Sequence, residues 1–156
     1  STHFNVKQID KNQLDLPVIE KYDVLILNGI ENISQGLAAQ LLNNAENQKP
    51  IILIPSQNIL IDSWNDFLSQ INASSISNWD STLSEIAFVN WKHPFFDGVF
   101  PSVQEKAQMP DVNGGFSLLQ GTKSNSINLL SFRKGNPFLQ LINYKNSRLS
   151  FLRKVP

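Results

Sequence analysis

The chain has 156 residues, 13 basic and 13 acidic, so its formal net charge is zero, and it contains no cysteine. Disulfides, thiolate metal sites and cysteine nucleophiles are therefore excluded, and a nucleic-acid groove has no basic cluster to build on, since no basic run exceeds the pairs Arg133-Lys134 and Arg153-Lys154. Hydrophobic content of 41% against 17% charged marks a globular chain, and the length suits a single domain over residues 1–156.

Along the chain, FNVKQID places apolar side chains at Phe4, Val6 and Ile9, a strand-like alternation. Val24 to Leu27 is a continuous apolar run closed by Asn28-Gly29, the pattern of a parallel strand buried on both faces. ENISQGLAAQLLNNAENQ follows, with Ser34 as helix N-cap, Ile33 outside it, and Leu37, Ala38, Leu41, Leu42 and Ala45 on one helical face. KPIILIPS is a second continuous strand ending at Pro55-Ser56, and IDSWNDFLSQI is a second amphipathic helix with Trp64, Phe67, Leu68 and Ile71 inward. Strands alternating with one-faced helices signal an α/β layer fold.

The second half changes style. NASSISNWDSTLS reads as a Ser- and Asn-rich loop, EIAFVN as a short strand, and HPFFDGVFPSVQEKAQMPDVNGG as mostly irregular. FSLLQG, INLLSF, FLQLINY and RLSFL read as strands, two of their connectors, RKGNP and KNS, having hairpin length and chemistry. The sheet is thus expected to be parallel early and antiparallel late. No apolar run approaches the roughly 20 residues of a membrane helix.

KYDVLILNGIENISQGLAAQLLNNAENQKPIILIPS resembles the strand–turn–helix–strand unit of class I glutamine amidotransferase-like domains. HPFFDGVF, followed by KGNPFLQLINYKNSRLSFL, is similar to the amidotransferase-like domain of membrane-anchored Bat-type (aerotolerance regulator) proteins. The resemblance implies a flavodoxin-like, three-layer α/β sandwich whose usual first strand and helix precede Ser1, cut from a longer protein with a double-transmembrane region and often a von Willebrand A-type domain. Its partners would be other domains of that chain or separate proteins, and its location membrane-associated through the parent.

The same resemblance frames a test for activity. Active members carry a cysteine on a Gly-x-Cys-x-Gly turn and a later His-Pro-Glu set; here the matching turn is LIPSQN, with Ser56 nearest the nucleophile's place. Flanking glycines are missing, Pro55 has no N–H to offer an oxyanion, and HPFFD lacks the acid after His-Pro. The resemblance therefore implies a domain that is not an enzyme.

Candidate sites follow from residue chemistry. Ser56, His93 and Asp97 are the members a serine-type triad would need; the alternative is that His93-Pro94 opens a turn closed by Asp97-Gly98, with Phe95, Phe96, Val99 and Phe100 plugging the sheet edge. For metal, His3 and His93 lie far apart and only Asp97 follows at ligand spacing, while Asp62 and Asp66 stand one helical turn apart as a solvated face; no metal site is expected. Neither Asn28-Gly29 nor Asn113-Gly114-Gly115 matches a phosphate loop, so no cofactor is expected. The corner formed by Asn28, Gly29, Pro55 and Ser56 is the candidate ligand site, because strand ends in open α/β sheets form crevices. Trp79 and Trp91, with His93, Phe95 and Phe96, make a candidate interaction surface between Asn78 and Phe100. The sequence points to a non-catalytic interaction or structural domain, with small-molecule or carbohydrate binding and a Ser56/His93 hydrolase as the alternatives.

Overall fold

The computed structural model describes residues 5–99, 109, 111–121, 124–145 and 147–152. Strand β1 (Leu25–Asn28) leads into helix α1 (Gln35–Glu46), strand β2 (Ile51–Ile54) and helix α2 (Ile61–Gln70). Five strands follow: β3 (Ser75–Val89), β4 (Asp111–Leu119), β5 (Ser126–Phe132), β6 (Pro137–Tyr144) and β7 (Ser147–Leu152). Among the described residues they form one seven-stranded sheet in the order β1-β2-β7-β6-β5-β3-β4. β1, β2 and β7 are parallel, and the pairs from β7 onward through β6, β5, β3 and β4 are antiparallel. This is an α/β fold with a mixed sheet, and the hairpins expected at RKGNP and KNS are the β5–β6 and β6–β7 connections.

Local chemistry explains the helices. Ser34 has extended backbone and its Oγ accepts from the Leu37 N–H at 3.3 Å, so α1 starts where the capping residue stands. α2 has no capping side chain at Leu60; its first turn is tied to the β1–α1 loop instead. The Leu60 N–H donates to the Glu31 carbonyl at 2.8 Å, and the Ser63 hydroxyl donates to the Leu60 carbonyl while accepting from the Ile33 N–H. These bonds fix the two helices at one end of the sheet.

Register then sorts the core. Leu25, Ile51, Leu149 and Ile142 stand side by side across β1, β2, β7 and β6, with Leu53, Phe151 and Gln140 in the next row on the same face. Leu37, Ala38 and Leu41 of α1 and Trp64, Phe67 and Leu68 of α2 bury against this face in one cluster. Trp64 meets Phe151 edge-on, with centroids 6.2 Å apart. Side chains alternate across a strand, so Ile26, Ile52, Ile54, Ser150 and Leu152 point to the opposite face. A smaller core of Ile86, Val112, Phe132 and Phe138, with Leu130, Leu139 and Leu152 against it, sits at the β3–β6 end. At the β1–β2 end neither helix lies on this second face; Ile26 is 62% exposed, while Ile52 and Ile54 are half-buried.

Four sequence expectations change. Residues 5–10 form no strand: they have no pairing partner and Val6 is 85% exposed, while Phe4 lies outside the described residues. The run Val24 to Leu27 is not buried on both faces, because β1 is an edge strand and its outward positions lack a cover. The expected loop NASSISNWDSTLS is strand from Ser75 on, the first part of β3, whose ladder with β4 is interrupted by two register shifts. Asp111–Gly115 is strand, not irregular chain. Its Gly114 has φ +82°, and a Cβ there would lie 2.6 Å from the Asp80 carbonyl oxygen, so the close β3–β4 approach itself demands glycine.

Two stability outcomes follow. Leu53→Ala empties a fully buried position and should cost about 2–5 kcal/mol in urea unfolding, whereas Ile26→Ala on the neighbouring strand should cost less than about 1 kcal/mol. Gly114→Ala should destabilise by more than about 1 kcal/mol, because both the backbone conformation and the Asp80 carbonyl oppose a Cβ.

Candidate functional site

Asn28 ends β1 opposite Ile54, and Gly29 turns away with φ +76° while its N–H donates to the Ile54 carbonyl at 2.8 Å. No atom crowds a Cβ at Gly29, so glycine serves the turn conformation there. Pro55 is buried, and Ser56 is half-buried with its Oγ accepting from the Asn58 N–H at 3.1 Å. The four residues picked out as a strand-end corner therefore do meet at one corner.

The larger concavity lies beside that corner. A cavity of about 350 Å³ opens between the loop after Gly29 and the segment over residues 12–16, with Asn12, Leu14, Ile30, Glu31, Asn32 and Ser34 in its wall. A second of about 250 Å³ lies between the helices, bordered by Asn32, Gln35, Ser63, Asp66 and Gln70. The lining mixes amides, hydroxyls and carboxylates with leucine and isoleucine, and among the described residues no basic side chain contributes to it, which suits a neutral hydroxylated ligand better than an anion. Sequence reasoning missed Asn12, Leu14 and Leu16. The available signal was Asp10, whose carboxylate accepts from the Asn12 N–H at 2.8 Å and caps a turn over Lys11–Gln13, which the strand reading of the preceding residues obscured.

Ser56 and His93 do not meet. β2 and β3 stand four strand spacings apart in the sheet, roughly 19 Å. They also run in opposite directions, so Ser56 leaves beyond the end of β2 while the chain after Val89 turns back toward the level where β2 begins. His93 is occupied locally: its Nδ1 accepts from the Phe95 N–H at 3.1 Å, capping a 3₁₀ turn over Pro94–Phe96, and Gly98 with φ +72° completes the bend after Asp97. That is the turn of HPFFDG without the plug expected of it: Phe95 is 38% and Val99 59% exposed, and Phe100 lies outside the described residues.

The aromatic residues split into two places. Trp79 lies in β3, half-buried, with its ring edge-on to Phe116 at 5.0 Å and packed on the main core. Trp91 lies past the other end of the same strand, about 30 Å further along an extended chain. Trp91 is half-buried and its ring stacks obliquely on Phe96 at 5.7 Å; Phe95 meets Phe96 at 5.2 Å and stays 38% exposed. Asn78 to Phe100 is thus not one surface, and Phe100 lies outside the described residues.

His3 lies outside the described residues, and Asp62 and Asp66 are both exposed on α2. No three His, Asp or Glu side chains among the described residues gather where an ion could be held. Two exposed ion pairs among the described residues are structural clips. Arg133 meets Glu85 at 2.7 Å and Lys145 meets Glu46 at 2.5 Å, and in each case the carboxylate hydrogen bond raises the basic group's pKa.

No protein-family model matches the chain, and no curated protein matches it. Among solved structures it is similar to the exo-beta-1,4-mannosidase Op5Man5 from Opitutaceae bacterium strain TAV5 (TM-score 0.58, 9% identity, over 85% of this chain and 20% of that one). It is also similar to the mmIFT52 N-terminal domain (TM-score 0.59, 15% identity, 89% and 68%) and to a ThuA-like protein from Bacteroides uniformis ATCC 8492 (TM-score 0.59, 13% identity, 93% and 64%). The chain spans a fifth of the mannosidase and about two thirds of the other two. At these identities the likeness is one of fold alone.

Proposed function

We infer that the chain is a non-catalytic interaction domain. The observation that carries this reading is the separation of Ser56 from His93, four strands apart and directed to different ends of the sheet. Proton transfer needs hydrogen-bond reach, about 3 Å, and no loop movement short of refolding the sheet brings the pair that close. The strand-end turn adds nothing in compensation: Ser56 Oγ is engaged with the Asn58 N–H, and Pro55 offers no N–H donor. Exposed apolar side chains at Ile26, Phe88, Phe95, Val99 and Leu119 supply contact surface instead.

The setting follows from the sequence resemblance: one domain of a larger, membrane-anchored protein of the Bat type, completed to three layers by helices of its surroundings. Among the described residues no helix is long and apolar enough to cross a membrane, so on this reading the anchor belongs to the rest of the parent.

A second reading is favoured by the cavity beside Asn32, which is large enough for a small hydroxylated ligand such as a saccharide. Titration with mono- and disaccharides, followed by amide shifts at Asn12, Glu31 and Asn32, decides it: millimolar saturation confined to those amides supports a binding site, and unchanged spectra remove it.

For the main reading, a fluorophosphonate probe should leave the chain unlabelled, and Ser56→Ala should leave ester hydrolysis at the level of the buffer blank. Stoichiometric labelling abolished by both Ser56→Ala and His93→Ala would overturn the inference.

A further inference from the structure

The second face of the sheet at β1, β2 and β7 is the strongest unexplained feature. Parallel strands are normally covered on both faces, because βα crossovers distribute helices to each side. Here α1 and α2 lie side by side on one face, sharing the cleft that Asn32, Gln35, Ser63 and Asp66 border. The other face presents Ile26, Ile52 and Ile54, with Val24 just before the strand; Val24 is 47% and Ile26 62% exposed, and Ile52 and Ile54 are half-buried. Toward β6 the smaller core takes over at Leu139 and Leu152, which bounds the patch on that side.

Size and charge say what fits. Three strands at about 4.8 Å and four residues at about 3.3 Å give a patch roughly 14 by 13 Å. A stable homodimer needs about 800 Å² from each partner, several times this area, so a second copy is a poor occupant. One α-helix, about 10 Å across, covers it. No charged side chain lies in the interior of the patch. Arg148, on the same face as Ser150 by alternation and beside the start of β2, is exposed and makes no ion pair among the described residues. The opposite end of the patch, at Asn28 and Ser56, is uncharged.

We propose that this patch seats a single amphipathic helix of a partner protein, two to three turns long, with an uncharged stripe of branched aliphatic residues and an acidic residue opposite Arg148. The proposal rests on the reading of the chain as an interaction domain and specifies its surface and the chemistry of its partner. The β-branched row of Ile26, Ile52 and Ile54 offers a stiff ridged floor, and the aliphatic stripe supplies the association energy. Arg148 sets polarity along the strands more than affinity, since a rim charge acts chiefly on orientation and rate.

The test uses the whole 156-residue chain and a designed, N-acetylated peptide of roughly 14 residues, about four turns, with leucines on one helical face and a glutamate in its last turn. Isoleucine methyl and backbone NMR should show shifts at Val24, Ile26, Ile52 and Ile54. Ile26→Asp, at an exposed position that should leave folding intact, should weaken binding at least about tenfold. Arg148→Glu should weaken it less, and a peptide with lysine in place of the glutamate should recover the loss. Absence of shifts, shifts confined to Trp91–Phe96, equal binding by a proline-broken peptide (strand addition at the β1 edge), or a concentration-dependent dimer that protects the patch would each overturn the proposal. Failure here with the chain still inert to fluorophosphonate leaves the non-catalytic reading standing; labelling at Ser56 removes that reading itself.

Discussion

Side-chain alternation across β1, β2 and β7 governs the rest of the molecule. Leu25, Ile51, Leu53, Leu149 and Phe151 point one way and receive both helices; Ile26, Ile52 and Ile54 point the other way and do not. A one-residue slip in any of these strands would exchange the two sets, placing polar Asn28 and Ser150 under the helices. Register is therefore held by the helix-covered face. An apolar face open at Ile26 costs solubility, and a net charge of zero does nothing to offset it; the proposed partner helix would cover it.

The same topology explains why Ser56 and His93 do not meet at this corner. Three strands, β7, β6 and β5, stand between β2 and β3. The late hairpins that complete the sheet thus carry the histidine-bearing turn away from the serine-bearing one. What remains at the corner is a pair of tight turns, Gly29 bonded to Ile54 and Ser56 bonded to Asn58, with a cavity to the side. His93 caps a turn that carries Phe95 outward and Phe96 inward against Trp91, a structural role for an imidazole.

Much of this was legible in the sequence where short-range rules decide. Ser34 as N-cap, the inward faces of α1 and α2, and the two late hairpins depend on residues a few positions apart, and local chemistry fixes them. Long-range pairing was the obscure part. Ser75 to Asp80 looks like loop because polar residues dominate, yet pairing with β4 across Gly114 makes it strand. Val6 alternates with its neighbours as a strand does, but lacks a partner to pair with. The run at Val24 to Leu27 suits a central strand as well as an edge strand, since composition does not report strand order. The corner residues Asn28, Gly29, Pro55 and Ser56 could be placed together from a parallel β-α-β unit alone, whereas Asn12 and Leu14 reach the cavity through a non-local fold of the chain.

The central claim is that one face of the parallel strands is sealed and the other is open. The chain has no cysteine, so single Ile26→Cys and Leu53→Cys variants can be read without background by their rates of reaction with a thiol reagent under native conditions. The account predicts that the thiol at position 26 reacts nearly as fast as in the unfolded chain, while that at position 53 reacts only through global unfolding. Equal protection of the two positions would show that the second face is covered within this chain and would contradict the account.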